Sequence, residues 1–330
     1  MILCFGEILL RIQADLSSNS ADLFVGGAEA NVAASLAQWE ADVQYVSRMP
    51  NHILADQVID QLTSQKIDCA KMLRGGERIG SYYVAQGADM KSAAVVYDRK
   101  YSSFSMLQPN SVDWHAMLEG VCWLHWSAIS PAISEIHPTV MNELLVAAKE
   151  KNIKISVDLN YRNKLWQYTE FPAEEMHPLV QHCDMIMGNL WAAESLLDVA
   201  SPINESSGKT KFELIEAAEE SMMQLQHQYP NATTIAYTFR LPETYFALLK
   251  QMDEVFVSKE FVLENIVDKI GTGDSFMAGL IFGSHNAWSN QQIVDFAAAA
   301  AVSKFSVRGD FNMTPLQRIL QLAEISHSTD

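Results

Sequence analysis

Cysteine is scarce in this chain. Its 330 residues hold four, Cys4, Cys69, Cys122 and Cys183, far apart and each among apolar neighbours. No CxxC pair occurs, so nothing points to a disulfide framework or a thiolate metal site. The expectation is four buried thiols in a reducing compartment. The nine histidines do not cluster either. His177 and His182 stand five apart, a poor spacing for one helix face, and no zinc site is read from them. Positive charge is sparse: 23 Lys and Arg stand against 40 Asp and Glu, a formal net charge of −17. Such a chain repels nucleic acid and anionic membrane surfaces, which removes both as general partners. A small anion held in a local basic pocket is still compatible with it. Long apolar runs are missing too. The start MILCFGEILLRIQ has no basic leader and no small-residue cleavage site, so it does not read as a signal peptide. No run approaches the ~18 apolar residues of a membrane helix. A soluble, cytoplasmic protein is expected.

Familiar catalytic fingerprints are also absent. There is no GxxxxGK[ST], which excludes a P-loop nucleotide hydrolase, and no GxGxxG follows the first apolar run. No Ser/His/Asp or Cys/His arrangement stands out. Hydrophobic residues make up 48% and charged residues 19%, enough for a large core and not the composition of a disordered chain.

What is present is a rhythm of apolar strands and amphipathic helices. Residues 1–10 read as a buried strand. GGAEANVAASLAQW reads as a glycine turn and a helix with Val32, Ser35, Leu36 and Trp39 on one face. VQYVSRM is a second strand, and HILADQVIDQLTSQ a helix with Ile53, Val58, Ile59 and Leu62 inward. From about 77 to 107 the texture becomes Tyr-, Ser- and Val-rich with a Gly-Ala-Asp turn, which reads as an inserted antiparallel hairpin. Beyond it VCWLHWSAI, IKISVDLN, CDMIMGN and ATTIAYTF are strands separated by helices, YFALLK and EVFVSK form an antiparallel pair near an edge, and helices close the chain. FAAAAAVSKF reads as a tightly packed buried helix. Alternating strands and helices imply a mostly parallel sheet covered on both faces. The expectation is one α/β domain over residues 1–330, with a small β lid formed by about 11–25 and 77–107.

In an open parallel sheet, ligands bind at the carboxyl ends of the strands. Those ends carry Gly26-Gly27-Ala28-Glu29-Ala30-Asn31, then Asn160, Tyr161 and Arg162, then Asn189, then Thr238 and Arg240, and last Gly271, Thr272, Gly273 and Asp274. Each is unremarkable alone: a GG pair is commonly a turn device, a lone Asp at a helix start is commonly a cap, and Tyr97 and Arg99 on a strand are commonly a solvated face. Together, in this order, they offer glycine amides, a carboxylate, an arginine and side-chain amides at one sheet edge.

GGAEANVAASLAQWEADVQYVSRM and DKIGTGDSFMAGLIFG resemble the N- and C-terminal signatures of the ribokinase/PfkB-type carbohydrate kinases, and the resemblance covers nearly the whole chain. Within that family GGAEANVA, VVYDRKYSSFS, SAISPAI, VDLNYRNKLW and SVRGD resemble the 2-keto-3-deoxygluconate kinase branch. The resemblance implies a three-layer αβα ribokinase-like fold with a small β-sheet lid. It also implies ATP-dependent phosphorylation of a sugar acid at its 6-hydroxyl, with Mg²⁺ on the nucleotide phosphates. Asp274 would be the general base, and the amides of Gly271, Thr272 and Gly273 an anion hole. Arg99 and Arg162 would face the substrate carboxylate. Tyr82 and Tyr97 would cover the sugar, Gly27 would admit it, Asn31 would support that loop, Ile129 would line the site, and Asp310 would bind a hydroxyl. Asn189, Thr238 and Arg240, with Gly271 and Gly273, would meet the nucleotide. No protein ligand to a metal is assigned. The chain departs from the family pattern at Lys269 and Thr272, at Ala192 where the N-x-x-E motif has its glutamate, and in RLPETY, a nucleotide loop without glycine. The alternatives are a kinase for fructose, tagatose or a nucleoside, and a non-catalytic sugar-acid sensor. Self-association through the lid edges is expected.

Overall fold

The computed structural model describes residues 1–15, 17–84 and 95–325. In chain order the first elements are β1 (Ile2–Phe5), β2 (Leu9–Asp15), β3 (Ser20–Gly26), α1 (Ala28–Gln38), β4 (Val43–Val46), β5 (Arg48–Met49), α2 (Ile53–Ser64), β6 (Leu73–Arg74), β7 (Gly80–Tyr83), β8 (Val96–Asp98) and α3 (Trp114–Met117). Next come β9 (Trp123–Ser127), α4 (His137–Glu150), β10 (Lys154–Asp158), α5 (Pro172–Val180), β11 (Met185–Gly188), α6 (Leu190–Leu197) and α7 (Lys211–Gln228). The chain ends with β12 (Thr234–Arg240), β13 (Thr244–Gln251), β14 (Glu254–Val257), β15 (Phe261–Val262), α8 (Thr272–His285), α9 (Asn290–Lys304) and α10 (Leu316–Ala323).

Strands β14-β13-β12-β11-β10-β9-β1-β4 form the main sheet in that order, with β15 beside β13. Pairing is parallel from β4 across to β12 and antiparallel from β12 outward. Successive strand residues face opposite sides, and the core divides accordingly. Leu3, Phe5, Leu124, Trp126, Ile155 and Val157 pack with α3–α7. Ile2, Cys4, Trp123, Met185 and Met187 pack with α1, α2 and α8–α10. This is the three-layer αβα architecture, with the parallel run of strands buried on both faces as such sheets require.

A second sheet, β3-β2-β7-β8, sits apart from the first. Its strand β2 begins inside the stretch read as one strand over 1–10. That stretch is broken at Gly6-Glu7-Ile8, so β1 belongs to the main sheet and β2 to the small one. Uniform burial of residues 2–10 hides the break from any periodicity argument. The Gly-Ala-Asp turn expected at 87–89 lies outside the described residues.

Two further expectations need correction, and one helix was missed. Ile53 opens α2 and is 75% exposed; only Ala55, Val58 and Leu62 of that helix are buried. Cys122 is exposed, while Cys4, Cys69 and Cys183 are buried. Helix α5 was not foreseen, because PAEEMHPLV contains Pro178 in its interior, a residue that argues against a helix on its own.

Helix α8 carries the site and lies directly on α9. A Cβ on Gly279 would sit 2.6 Å from the Cα of Ala297, a distance no packed pair tolerates. Gly279→Val should therefore prise the helices apart and cost about 1–3 kcal/mol, read from denaturant unfolding. A variant as stable as wild type would show that the two helices are not held at this separation.

Candidate active site

All fifteen residues proposed from the sequence line one cavity of about 680 Å³, together with Glu7, Glu29, Asp158 and Lys164. Topology explains the convergence. The carboxyl ends of β1, β10, β11 and β12 open toward it, and the small sheet covers it with residues from β7, β8 and the start of β2.

At the floor of the cavity α8 begins. Its N-cap, Gly271, has φ 82°, and a Cβ there would lie 2.2 Å from the carbonyl oxygen of Asp310, so glycine is required twice over. The amides of Thr272, Gly273 and Asp274 have no acceptor within the helix, and the helix dipole adds partial positive charge. A Cβ on Gly273 would meet nothing within 4 Å, which leaves the helix mouth open to a ligand. Asp274 is 8% exposed, and its Oδ2 accepts from Asn31 Nδ2 at 2.6 Å. Burial pushes its carboxyl up to about 8; Asp158 and Glu29 push the same way, and the Asn31 hydrogen bond and Arg162 oppose them. The result is a carboxylate with unusually high affinity for a proton.

Asn31 has a second partner beyond the glycine loop. Its N donates to the Gly27 carbonyl at 2.8 Å, and its side chain reaches from α1 to orient Asp274. Gly27, at φ 137°, has its missing Cβ 2.4 Å from the Glu7 carbonyl oxygen. Its glycine is demanded by the backbone of the neighbouring loop, and it also lines the cavity.

The two arginines differ. Arg162 lines the cavity, its Nη1 donates to the Tyr161 carbonyl at 3.0 Å, and its Nε is buried with no hydrogen-bond partner among the described residues. Arg99 is 6% exposed, and its Nε donates to Glu7 Oε2 at 2.6 Å. Its charge is already matched. Ser102 donates to the other oxygen of Glu7. On the opposite wall Glu29 accepts from Ser127 N at 3.0 Å and Oγ at 2.5 Å, while burial raises its carboxyl to about 7 and that of Asp158 to about 6.

Asp310 is 2% exposed; Oδ1 lies 3.0 Å from Arg11 Nε but accepts no hydrogen bond among the described residues, and Oδ2 accepts from Tyr82 OH at 2.6 Å. It lines the cavity and also anchors the small sheet through Tyr82. Tyr82, whose hydroxyl hydrogen is donated to Asp310, can only accept from a ligand. Tyr97 sits beside it, ring centroids 6.4 Å apart, and Ile129 lines the same wall.

At the far end Asn189 caps α6, accepting from Ala192 N at 3.0 Å. Thr238 and Arg240 project from β12, whose connection to β13 is a tight hairpin closed by Leu241 N to Thr244 O at 2.9 Å. The glycine-free stretch RLPETY is this hairpin. Among the described residues no three or more His, Cys, Asp or Glu are arranged to hold a metal ion.

The residues missed in the sequence were acids and a cationic partner. Glu7 stands just beyond β1 and Asp158 at the end of β10, so reading every strand tip for carboxylates would have found both. Arg11, buried on β2 and paired with Asp268 across 257 residues, had no local signal.

This fold and this arrangement define a phosphotransferase-type α/β enzyme: a dry carboxylate beside unpaired helix amides at a sheet's carboxyl edge. The model of the pfkB family of carbohydrate kinases matches residues 1–316, and the chain belongs to that family. It is a sugar kinase. It is 32% identical to a solved 2-dehydro-3-deoxygluconokinase of Thermotoga maritima, with 98% of this chain and 99% of that one covered and a TM-score of 0.88. It is 25% identical over 335 residues to a 2-dehydro-3-deoxygalactonokinase of Haloferax volcanii, covering 97% of this chain and 96% of the relative. A fructokinase of Xylella fastidiosa with bound ATP shares the fold at TM-score 0.80 and 18% identity, covering 98% of each chain.

The raised Asp274 carboxyl has a consequence for stability. Its proton is held to about pH 8 in the folded chain against an ordinary 3.8. Between those values the folded state binds a proton that the unfolded state has released, so stability falls as pH rises through the window. Asp274→Asn removes that penalty. The variant should melt higher than wild type at pH 8, by on the order of a few kcal/mol, and the gap should close near pH 4. A gap independent of pH, followed by calorimetry, would refute the assignment.

Proposed function

We propose that this sugar kinase phosphorylates a six-carbon 2-keto-3-deoxy sugar acid, 2-keto-3-deoxygluconate or its galactonate epimer, on the 6-hydroxyl, using ATP. One observation carries the reading: Asp274 and Arg162 face the same covered cavity, a strong base at one side and a cation with an unused donor at the other. A neutral hexose has nothing for that cation; a sugar acid places its carboxylate there and its terminal hydroxyl toward α8. The names of the Thermotoga and Haloferax relatives point to the same two substrates.

In this mechanism the Arg162 fork takes the carboxylate. Tyr82, Tyr97 and Ile129 cover the sugar, and Arg99, held by Glu7, adds a fixed donor edge. Asp274, oriented by Asn31, accepts the proton of the attacking hydroxyl. As charge spreads over the transferring phosphoryl, the first-turn amides of α8 receive it without moving. The nucleotide lies along Asn189, Thr238 and Arg240, with the β12–β13 hairpin as a shelf in place of a glycine loop. The donor set suits a cation carried by the phosphates and water, and Mg²⁺ bound in that way supplies charge neutralisation along the phosphate chain. The small sheet also leaves Leu23, Tyr83 and Val96 at 56%, 40% and 59% exposure. We infer that copies of the chain associate through it; light scattering of a monomer at micromolar concentration would count against this.

ADP release tested with 2-keto-3-deoxygluconate, its galactonate epimer, fructose and ribose separates the readings. Turnover confined to the sugar acids is expected. Turnover on the neutral sugars points to another sugar kinase, and binding of an acid without ADP release to a sensor. Arg162→Ala should weaken the acid far more than ATP; equal losses would contradict the carboxylate contact. Because the base works unprotonated, kcat/KM should rise with pH up to about 8, where the free Asp274 titrates. Asp274→Asn should lose turnover by about 10³-fold or more, with acceptor affinity retained.

A further inference from the structure

Directly behind the mouth of α8 lies a charge that the proposed mechanism does not use. Lys304 ends α9 with 0% exposure. Its Nζ donates to the Val307 carbonyl at 2.8 Å, and its Cε passes 3.3 Å from where a Cβ on Gly271 would stand. Among the described residues no carboxylate pairs with it directly. An unpaired buried ammonium is costly, so its neighbourhood has to account for it.

That neighbourhood is an ion cluster. Arg11 Nη2 donates to Asp268 Oδ2 at 2.7 Å and Nη1 to Oδ1 at 3.3 Å, and Arg11 Nε faces Asp310 at 3.0 Å. Asp268 also accepts from Ile270 N at 3.0 Å and Gly309 N at 3.1 Å. These bonds fix the loop that runs into Gly271. The groups acting on Lys304 are Asp268, Asp310 and Asp274, which favour its charge, and Arg11, which opposes it. Arg11 alone leaves one carboxylate of the Asp268/Asp310 pair unbalanced, immediately behind the amides that must receive an anion. Lys304 supplies the missing positive charge.

We propose that Lys304 is a positioning residue for phosphoryl transfer, whose buried ammonium neutralises the Arg11–Asp268–Asp310 cluster and keeps the helix mouth receptive to an anionic phosphoryl group. The inference rests on the kinase reading. It assigns Lys304 no contact with the sugar acid, so its removal acts on the rate and not on acceptor binding. Burial lowers its proton affinity to about 8, which makes the charge removable by pH as well as by mutation.

The test uses the full chain carrying Lys304→Met, which keeps the length of the side chain and deletes its charge. With ATP and the best acceptor of the panel, kcat should fall about tenfold or more while the acceptor KM stays within about threefold. A kcat within about twofold of wild type overturns the proposal, and so does a loss of acceptor affinity in step with kcat. Should Lys304→Met not fold, Lys304→Ala is assayed with methylammonium and with tetramethylammonium at equal ionic strength. Recovery with the small cation alone supports a charge role; no recovery overturns it. A wild-type chain inactive toward every acceptor would sink the kinase reading by itself. Stabilisation against heat by inorganic phosphate would then decide Lys304: loss of it in the variant supports the inference, and equal stabilisation overturns it.

Discussion

The site depends on keeping one carboxylate dry without making its surroundings negative. Asp274 gains its proton affinity from burial, with further help from Asp158 and Glu29. An anionic phosphoryl group has to approach the same spot. Two acids more, Asp268 and Asp310, stand close behind it. Unbalanced, such a set would repel the group it is built to receive. The structure resolves this by direction. The open face of α8 presents amides, Asp268 behind it is engaged by Arg11 and by backbone donors, and Asp274 lines the cavity with one oxygen held by Asn31.

The same cluster explains why the small sheet is more than a cover. Arg11 belongs to β2 and Tyr82 to β7, and both end on acids of the loops around α8. The strands that close over the acceptor are therefore wired to the loop that shapes the anion pocket. A buried pair of this kind contributes little net stability, and breaking one partner is expensive. Its value lies in geometry: the lid strands and the phosphoryl site cannot be displaced independently.

Much of this was legible in the sequence because it is local. The alternation of strands and helices pointed to a sheet covered on both faces, and the strand ends supplied ten of the fifteen cavity residues; the family resemblance supplied Tyr82, Tyr97, Arg99, Ile129 and Asp310. The roles of particular side chains were less legible, for a physical reason. Asp310, Arg99 and Asn31 were each read as meeting a ligand or bracing their own loop. Each also engages a partner distant in sequence: Tyr82 and Arg11, Glu7, and Asp274. Composition and spacing show that a polar residue stands at a strand end. They do not show whether its hydrogen-bonding capacity is already spent. Arg11 and Lys304 were invisible for the converse reason, since LLRIQ and AAVSKF read as apolar segments whose charges should point to water.

Which residues retain unspent capacity is what turns the fold into a selective site. Of Arg99 and Arg162, which both line the cavity, the first donates its Nε to Glu7, and the second keeps an Nε without a described partner. Of the buried acids, Asp268 is engaged by Arg11 and two backbone amides, Asp310 accepts from Tyr82 through one oxygen, and Asp274 has one oxygen tied to Asn31. A cation and a carboxylate with unspent capacity thus face the cavity, Arg162 from the loop after β10 and Asp274 from the first turn of α8. A substrate that satisfies both must carry an acid at one end and a hydroxyl to be deprotonated at the other. That pairing of demands is what a sugar acid meets and a neutral hexose does not. On the proposed reading, with the acceptor held at both ends and the anion pocket already shaped, the task left to the β12–β13 hairpin is to align phosphates, which a short shelf with Thr238 and Arg240 would perform without a glycine loop.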